Sequence, residues 1–352
     1  MSNISIDYYI LILGPRGFYG TFDVHIALEK HLSDWFNGAQ AILYSDNIAC
    51  ISSVIPAFSK RGDIIVCDEA VNYGIQQGLL LSRSHIKFYK HNDMSDLERV
   101  LQQVVNENKS KKLNRRFIIT EGISAYYGDI APLDKIVDLR NKYKFRIILD
   151  DCLGIGVLGE TGRGTIQHYN IPLSEIELLC GTLDTALASV GGFAVSSNEY
   201  VIDHQRLTGT GYVFSASSPP YTAAAASQAL EIIQHNPQLL QQLRDKAVYM
   251  RQKLSNIPGT TLNGSDISPL IYIRLSPSYG TKQDTVIVDG VIEQLLSLGI
   301  AATAPDYVPF ERRTPAAAVR LVVCTHHSTQ DIDQAVHACT VAFQTQLDKL
   351  RQ

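Results

Sequence analysis

The sequence predicts an α/β fold, a mostly parallel sheet covered by helices on both faces, with a smaller C-terminal α+β domain. Three observations predict it. Short apolar runs rich in Ile, Leu and Val alternate with helical stretches from about residue 40 to residue 196, the pattern of successive βα units. Beyond about residue 220 that alternation gives way to two long helices and then shorter mixed elements. The length of 352 residues, 45% apolar and 19% charged, suits one large domain plus a smaller one. The expected division is 1–235 and 236–352.

The elements follow in order. After Gly20 a helix places Leu28, Leu32, Trp35 and Phe36 on one buried face. Strands are expected at Ala41–Tyr44, Asp63–Cys67 and Ile86–Tyr89. Ser95-Asp-Leu-Glu98 reads as a capping box, in which hydroxyl and carboxylate each take the other's backbone N–H. The helix it opens carries Leu97, Val100, Leu101, Val104 and Val105 at the spacing of one apolar stripe. Phe117–Thr120 is the next strand, and Pro132 starts a helix with Ile136 and Val137 inward. Phe145–Leu149 is a buried strand ending at Asp150; Ile176–Cys180 and Gly192–Ser196 follow. The last third reads as helices Pro219–Gln234 and Leu239–Ser255, strand Leu270–Leu275, and a helix around Thr285–Leu298. Strands Ile300–Thr303 and Val319–Val323 and a helix from Thr329 complete it, with Asn256–Ser268 a Gly/Asn/Pro/Ser loop.

Composition excludes several classes. The net charge is -4 with both signs mixed, and no basic stripe marks a nucleic-acid surface. Six scattered cysteines form no C-x-x-C pair and read as free thiols of a reducing compartment. No metal site is expected, because Cys152 beside Asp150-Asp151 has only the distant His326 and His327 as companions. No G-x-S-x-G elbow supports an α/β-hydrolase. Met1–Ile12 lacks the basic flank and cleavage site of a signal peptide, and no apolar run approaches the roughly 18 residues that span a bilayer. The chain is therefore expected to be soluble.

Three segments could carry chemistry. Gly14-Pro-Arg-Gly-Phe-Tyr-Gly-Thr21 is glycine-rich but lacks the Lys-Ser/Thr of a P-loop, so it is either a tight turn before a core helix or a ligand-facing loop. Its Gly14, Gly17 and Gly20 permit backbone angles or close approach, and Arg16 supplies a charged fork suited to carboxylate or phosphate. His25 reads as structural. Asp150 lies past the C-terminal end of a strand, the edge where open α/β sheets bind ligands; it is either a turn cap or the partner of a protonated pyridine nitrogen. Gly181–Phe193 is either a plain loop or a cofactor loop ending in Gly191-Gly192.

Taken together, the motifs resemble those of the α-oxoamine synthases, pyridoxal-phosphate (PLP) enzymes of fold type I. The resemblance runs through Gly20-Thr21, His25, Leu28-Glu29, Lys90-His-Asn-Asp93, Thr120-Glu-Gly122 and Gly128-Asp-x-x-Pro132-Leu133. It continues through Ile147–Asp151, Gly156–Gly164, Gly191-Gly192, Phe214–Pro220 and Arg320-Leu321. Within that family the Gly14–His25, His91–Met94 and Val201–Arg206 segments are similar to the first long-chain-base subunits of serine palmitoyltransferase.

That resemblance implies a PLP-transferase fold and a non-catalytic subunit. The Schiff-base lysine aligns with Thr185, whose hydroxyl cannot form an imine. The ring-stacking histidine aligns with Asn72 and a second histidine with Leu153, leaving Asp150 as the surviving cofactor position. No catalytic residue is then expected in this chain. It implies a heterodimer with a lysine-bearing catalytic subunit that holds PLP and condenses serine with palmitoyl-CoA, to 3-ketosphinganine, in sphingolipid synthesis. Gly14, Arg16, Gly17, Tyr19, Gly20, Thr21, Ser215 and Ser217 would lie near that partner's site. The implied location is the cytosolic face of the endoplasmic reticulum membrane, reached through partners or a missing N-terminal segment. Family members carry more sequence ahead of Gly14, so the chain reads as a truncated isoform, an incomplete gene model or a shortened paralogue. A structural or regulatory paralogue without a catalytic partner, and a self-sufficient synthase, are the alternatives.

Overall fold

The computed structural model describes residues 14–109, 114–307 and 312–350, which form two compact units. One comprises the chain up to Gly122 with Ala131–Asn236, the other Ile123–Ile130 with the chain from Pro237 onward. In the first unit the order is α1 (Asp23–Trp35), β1 (Gln40–Tyr44), α2 (Asn47–Phe58), β2 (Ile64–Asp68), α3 (Tyr73–Ser82), β3 (His85–Tyr89) and α4 (Met94–Glu107). Next come β4 (Arg116–Glu121), α5 (Leu133–Tyr143), β5 (Arg146–Asp150), α6 (Thr165–His168), β6 (Leu178–Thr182), β7 (Gly192–Ser196), α7 (Glu199–Thr208), α8 (Thr210–Val213) and α9 (Pro220–His235).

Its sheet runs β1-β7-β6-β5-β4-β2-β3. Strands β3, β2, β4, β5 and β6 are mutually parallel, and β7 is antiparallel to both β6 and β1. Successive residues of a strand point to opposite faces, so Ile64 and Val66 join one apolar cluster while Ile65 and Cys67 join the other. Burial on both faces is why these strands read as continuous apolar runs. The parallel order also sets polarity: the loops after β2, β4, β5 and β6 meet at one edge of the sheet, and the loops before them at the other.

Helix α1 buries Leu28, Leu32 and Trp35. In α4 the stripe Leu97, Val100, Leu101 and Val104 is buried, but its cap is not the expected Ser95-to-Glu98 box. Asp93 caps it, accepting from the Asp96 N–H at 3.0 Å. Ser95 already lies inside the first turn, and Glu98 instead reaches Lys142. An Asp two residues upstream is an equally good cap, so the helix starts there.

The second unit holds α10 (Gln238–Leu254), β8 (Thr260–Asn263), β9 (Leu270–Leu275), α11 (Thr281–Ser297), β10 (Val319–Val322) and α12 (Thr329–Lys349). Its antiparallel sheet runs β10-β9-β8. Strand β8 lies within the expected Asn256–Ser268 loop; it is a half-buried edge strand whose Thr-Thr-Leu-Asn sequence carries little apolar signal. The expected strand Ile300–Thr303 reduces to one bridge, Thr303 to Arg320. Ile123–Ile130 joins this unit through Arg274, which donates to the Tyr126 carbonyl at 2.9 Å and lies over the Tyr127 ring.

Candidate functional site

The C-terminal ends of β2, β4 and β5 bring acidic groups together. Glu121 and Asp150 are register partners on adjacent strands, and both are buried. Asn72, the N-cap of α3, sits across from them. Its Oδ1 accepts from the Ile75 N–H at 3.1 Å, which orients the amide. Its Nδ2 then donates to Glu121 Oε1 and to Asp150 Oδ2, each at 2.8 Å. The other oxygen of Asp150 accepts from the Cys152 N–H at 3.2 Å. Both carboxylate oxygens of Asp150 thus have partners within the chain, as a turn cap requires.

Beside this corner Asp151 is wholly buried and accepts from the Thr165 N–H and hydroxyl, both at 2.6 Å. A Cβ on Gly122, Gly154 or Gly164 would stand 2.0 Å from one of its oxygens, so those three glycines form its cradle. Burial pushes the Asp151 carboxyl up to about 7, against the opposing pull of the two Thr165 hydrogen bonds. Nearby, Asp68 accepts from His91 Nδ1 at 2.9 Å and from the Asn92 N–H at 3.0 Å. The His91-Asn92-Asp93 segment therefore braces the end of β2 and caps α4.

These residues do not fit a covalently held PLP. No lysine occurs between Lys144 and Lys246, the stretch that holds every loop from β5 to α9. Thr185 is exposed and its hydroxyl donates to the Cys152 carbonyl at 3.2 Å. Leu153 is half-buried in the turn after β5 and offers no polar group. Asn72 faces the two carboxylates with a neutral amide where a stacked ring would need an aromatic side chain, and each Asp150 oxygen already accepts one hydrogen bond from the chain.

The Gly14–Thr21 turn is a second constellation in the same unit. Pro15 O accepts from the N–H groups of Phe18 and Gly20. A Cβ on Gly20 would meet Gly14 O at 1.8 Å, and one on Gly14 would meet Phe18 O at 2.3 Å, so glycine is required at both. Gly17 differs from the expectation: nothing lies within 4 Å of its Cβ position, and any side chain there points into open space. Arg16 also differs. Its fork is taken by Glu29 of the same chain, 3.1 Å away on each arm, while Nε donates to Thr21 Oγ1 at 3.0 Å. Glu29 Oε1 in turn accepts from the Leu43 N–H, tying the turn to β1.

His25 is buried and structural. Its Nδ1 accepts from the Phe22 N–H, which leaves Nε2 to donate to the Ser218 carbonyl at 2.9 Å. Burial and the Arg16 charge hold its pKa below the usual histidine value. Ser217 N–H donates to Gly14 O at 3.0 Å and Ser215 pairs with Ser45 at 2.9 Å, so the 215–218 segment lies along the turn. Around it Phe18, Tyr19 and Phe214 are exposed by 64%, 92% and 80%. Sequence reasoning gave no role to Glu29, Glu121 or Asp151; a charged residue at the buried end of a strand or on the inner face of a helix was the available signal.

A mostly parallel seven-stranded sheet in this order is the architecture of the PLP-dependent proteins of fold type I. The chain belongs to the aminotransferase class I and II family, whose family model matches residues 5–338. It is similar to long chain base biosynthesis protein 1c of Oryza sativa subsp. japonica, 42% identical over 91% of this chain and 66% of that protein. It is likewise similar to serine palmitoyltransferase 1 of Dictyostelium discoideum, 40% identical over 92% of this chain and 69% of that one. The chain thus spans about two thirds of the length of these relatives. Among solved structures, a serine palmitoyltransferase from S. paucimobilis shares the fold with a TM-score of 0.85 at 24% identity, covering 95% of this chain and 79% of that one.

Proposed function

We propose that this chain is the non-catalytic subunit of a serine palmitoyltransferase. It pairs with a lysine-bearing homologue that holds PLP and condenses serine with palmitoyl-CoA, at the endoplasmic reticulum membrane. Thr185 stands at the lysine position, with Asn72 and Leu153 at the two histidine positions. The observation that carries the reading is the corner at Asp150: each of its carboxylate oxygens has a donor from the same chain, and no lysine lies in the loops after β2, β4, β5 or β6. What this chain contributes is the surface around Gly14–Thr21, Ser215 and Ser217. Arg16 acts there by holding the turn's shape through Glu29, and Gly17 and Tyr19 form the outward face.

The test is co-expression with a lysine-bearing partner in cells lacking their own first subunit, scoring long-chain-base synthesis. Gly17→Val and Tyr19→Ser should each lower synthesis by about tenfold or more, since misplacing a reacting group by about 1 Å costs on the order of a hundredfold. The melting temperature of the isolated chain should not move, because Gly17 has space for a side chain and Tyr19 is exposed. Full synthesis with both variants, or turnover by this chain alone, would overturn the proposal.

A further inference from the structure

The edge of the sheet opposite the Asp150 corner has a different chemistry. Lys60 and Arg61 precede β2, Arg83 precedes β3 and Lys109 follows α4, and all four are exposed. None of the four has a carboxylate partner among the described residues, unlike Arg115, held by Asp63 at 2.8 Å, and Lys87, held by Glu107 at 2.7 Å. Hydrogen bonds fix three of these loops to one another: Ser84 Oγ donates to Lys60 O, His85 N–H to Asp63 O, and Asn114 Nδ2 to Gly62 O. An open depression between them is lined by Lys60, Arg61, His85 and Lys87 together with Asp63 and Glu107, the two carboxylates already held by Arg115 and Lys87.

Two leucines share that edge. Leu80 and Leu81 occupy the last turn of α3, just ahead of Arg83, and are exposed by 66% and 59%. Adjacent apolar side chains bracketed by unpaired cations are the arrangement of a surface that enters the headgroup layer of an anionic bilayer: the leucines reach the acyl boundary and the cations meet lipid phosphates and carboxylates. The whole chain is acidic, at -4, so attraction to such a surface has to come from a local patch. Among the described residues no helix is long and apolar enough to cross a membrane, so any contact by this unit is peripheral.

We infer that the N-terminal edge of the sheet, centred on Lys60, Arg61, Leu80, Leu81 and Arg83, docks on an anionic lipid surface. Docking there leaves the opposite edge, with Asp150 and the Gly14–Thr21 turn, facing away from the bilayer. The inference is independent of the subunit pairing proposed above.

The test is co-sedimentation of the full chain with vesicles of phosphatidylcholine alone and of phosphatidylcholine with about one third phosphatidylserine. Binding is expected to the second only. Each cation near an anionic surface contributes about fivefold to partitioning, so K60Q/R61Q should lower it by roughly thirtyfold. L80S/L81S should lower it by about tenfold and abolish the residual binding that survives high salt. Lys30→Gln, an exposed cation on α1, should change little. All these positions are on the surface, and unchanged melting curves establish that each variant is folded. Equal binding to both vesicle types, or unchanged binding by K60Q/R61Q, would overturn the inference. So would binding of soluble polyglutamate, but not of vesicles, by the same residues, which would assign the patch to an acidic polypeptide.

Discussion

The Asp150 corner and the Gly14–Thr21 turn, a few strands apart in one unit, resolve their polar and apolar groups in opposite ways. At the corner every oxygen of Asp150 meets a donor from the same chain, and Asp151 sinks into a glycine cradle. At the turn the charges are equally self-satisfied, Arg16 against Glu29, but the aromatics Phe18, Tyr19 and Phe214 point outward. Paired polar groups cost nothing without a ligand, whereas exposed aromatic surface is the kind that contact with another molecule would cover. On the proposed reading, that difference puts the function at the rim and not at the pocket.

The largest effect expected is at Arg16. Its side chain is 7% exposed and that of Glu29 13%. Removing one member of such a pair leaves the other charge without its partner, at a cost of about 3–5 kcal/mol. Arg16→Ala should lower the unfolding free energy of the isolated chain by that amount in urea titration. Arg16→Met with Glu29→Gln, which keeps an acceptor for the Leu43 N–H, should recover most of it. A near-neutral Arg16→Ala would show that the pair is not what holds the turn, and that Arg16 is free to serve a partner directly.

The glycines sharpen the same contrast. Gly20→Ala forces a Cβ to within 1.8 Å of Gly14 O and should destabilise by a few kcal/mol, at the scale of overpacked cores. Gly17→Ala should stay within about 0.5 kcal/mol of the parent. Equal losses in thermal denaturation would mean the turn is restrained at Gly17 by something beyond its visible neighbours.

Asp151 gives the corner a pH signature. Its folded pKa, about 7, is raised above the ordinary carboxylate value, so the folded state holds a proton that the unfolded state releases near pH 4. Between about pH 4 and 7 this carboxyl is protonated in the folded chain and ionised in the unfolded one, so its own contribution to stability falls as pH rises through that window. Asp151→Asn cannot titrate and should flatten this slope by up to a few kcal/mol across the window. Parallel stability profiles for parent and variant would show that Thr165 keeps the carboxylate ionised throughout.

Much of this architecture was legible because its signals are local. The Ile-Ile-Leu run before Asp150 and the Leu270–Leu275 run are buried strands, and apolar content alone marks them. Helix α2 has no counterpart among the expected elements: it buries Cys50, Ile51, Ser53, Val54, Ile55 and Phe58 and carries Pro56, so neither a stripe nor a clean helix-former pattern survives. At the site, residue types pointed to the strand-end acids but not to their pairings. That Asn72 would bridge Glu121 and Asp150, residues 49 and 78 positions away, depends on the register of β4 beside β5. Arg16 looked available for a ligand because its partner Glu29 is contributed by the next helix and is visible only once α1 folds back against β1.

The smallest effect expected is at Thr185, and it bears most directly on the comparison. Its side-chain hydroxyl donates to the Cys152 carbonyl at 3.2 Å, on an exposed loop. Such a bond contributes at most about 1 kcal/mol, less where water can replace it. Thr185→Ala should therefore leave stability within about 0.5 kcal/mol of the parent. If the corner is closed and the rim carries the function, the same variant should also leave long-chain-base synthesis by the co-expressed pair within about twofold of the parent, while Gly17→Val collapses it. The two variants are matched in being structurally silent, so their difference reads the location of function rather than of stability. A Thr185→Ala loss equal to that of Gly17→Val would return the Asp150 corner to the active assembly and remove the contrast on which the rim assignment rests.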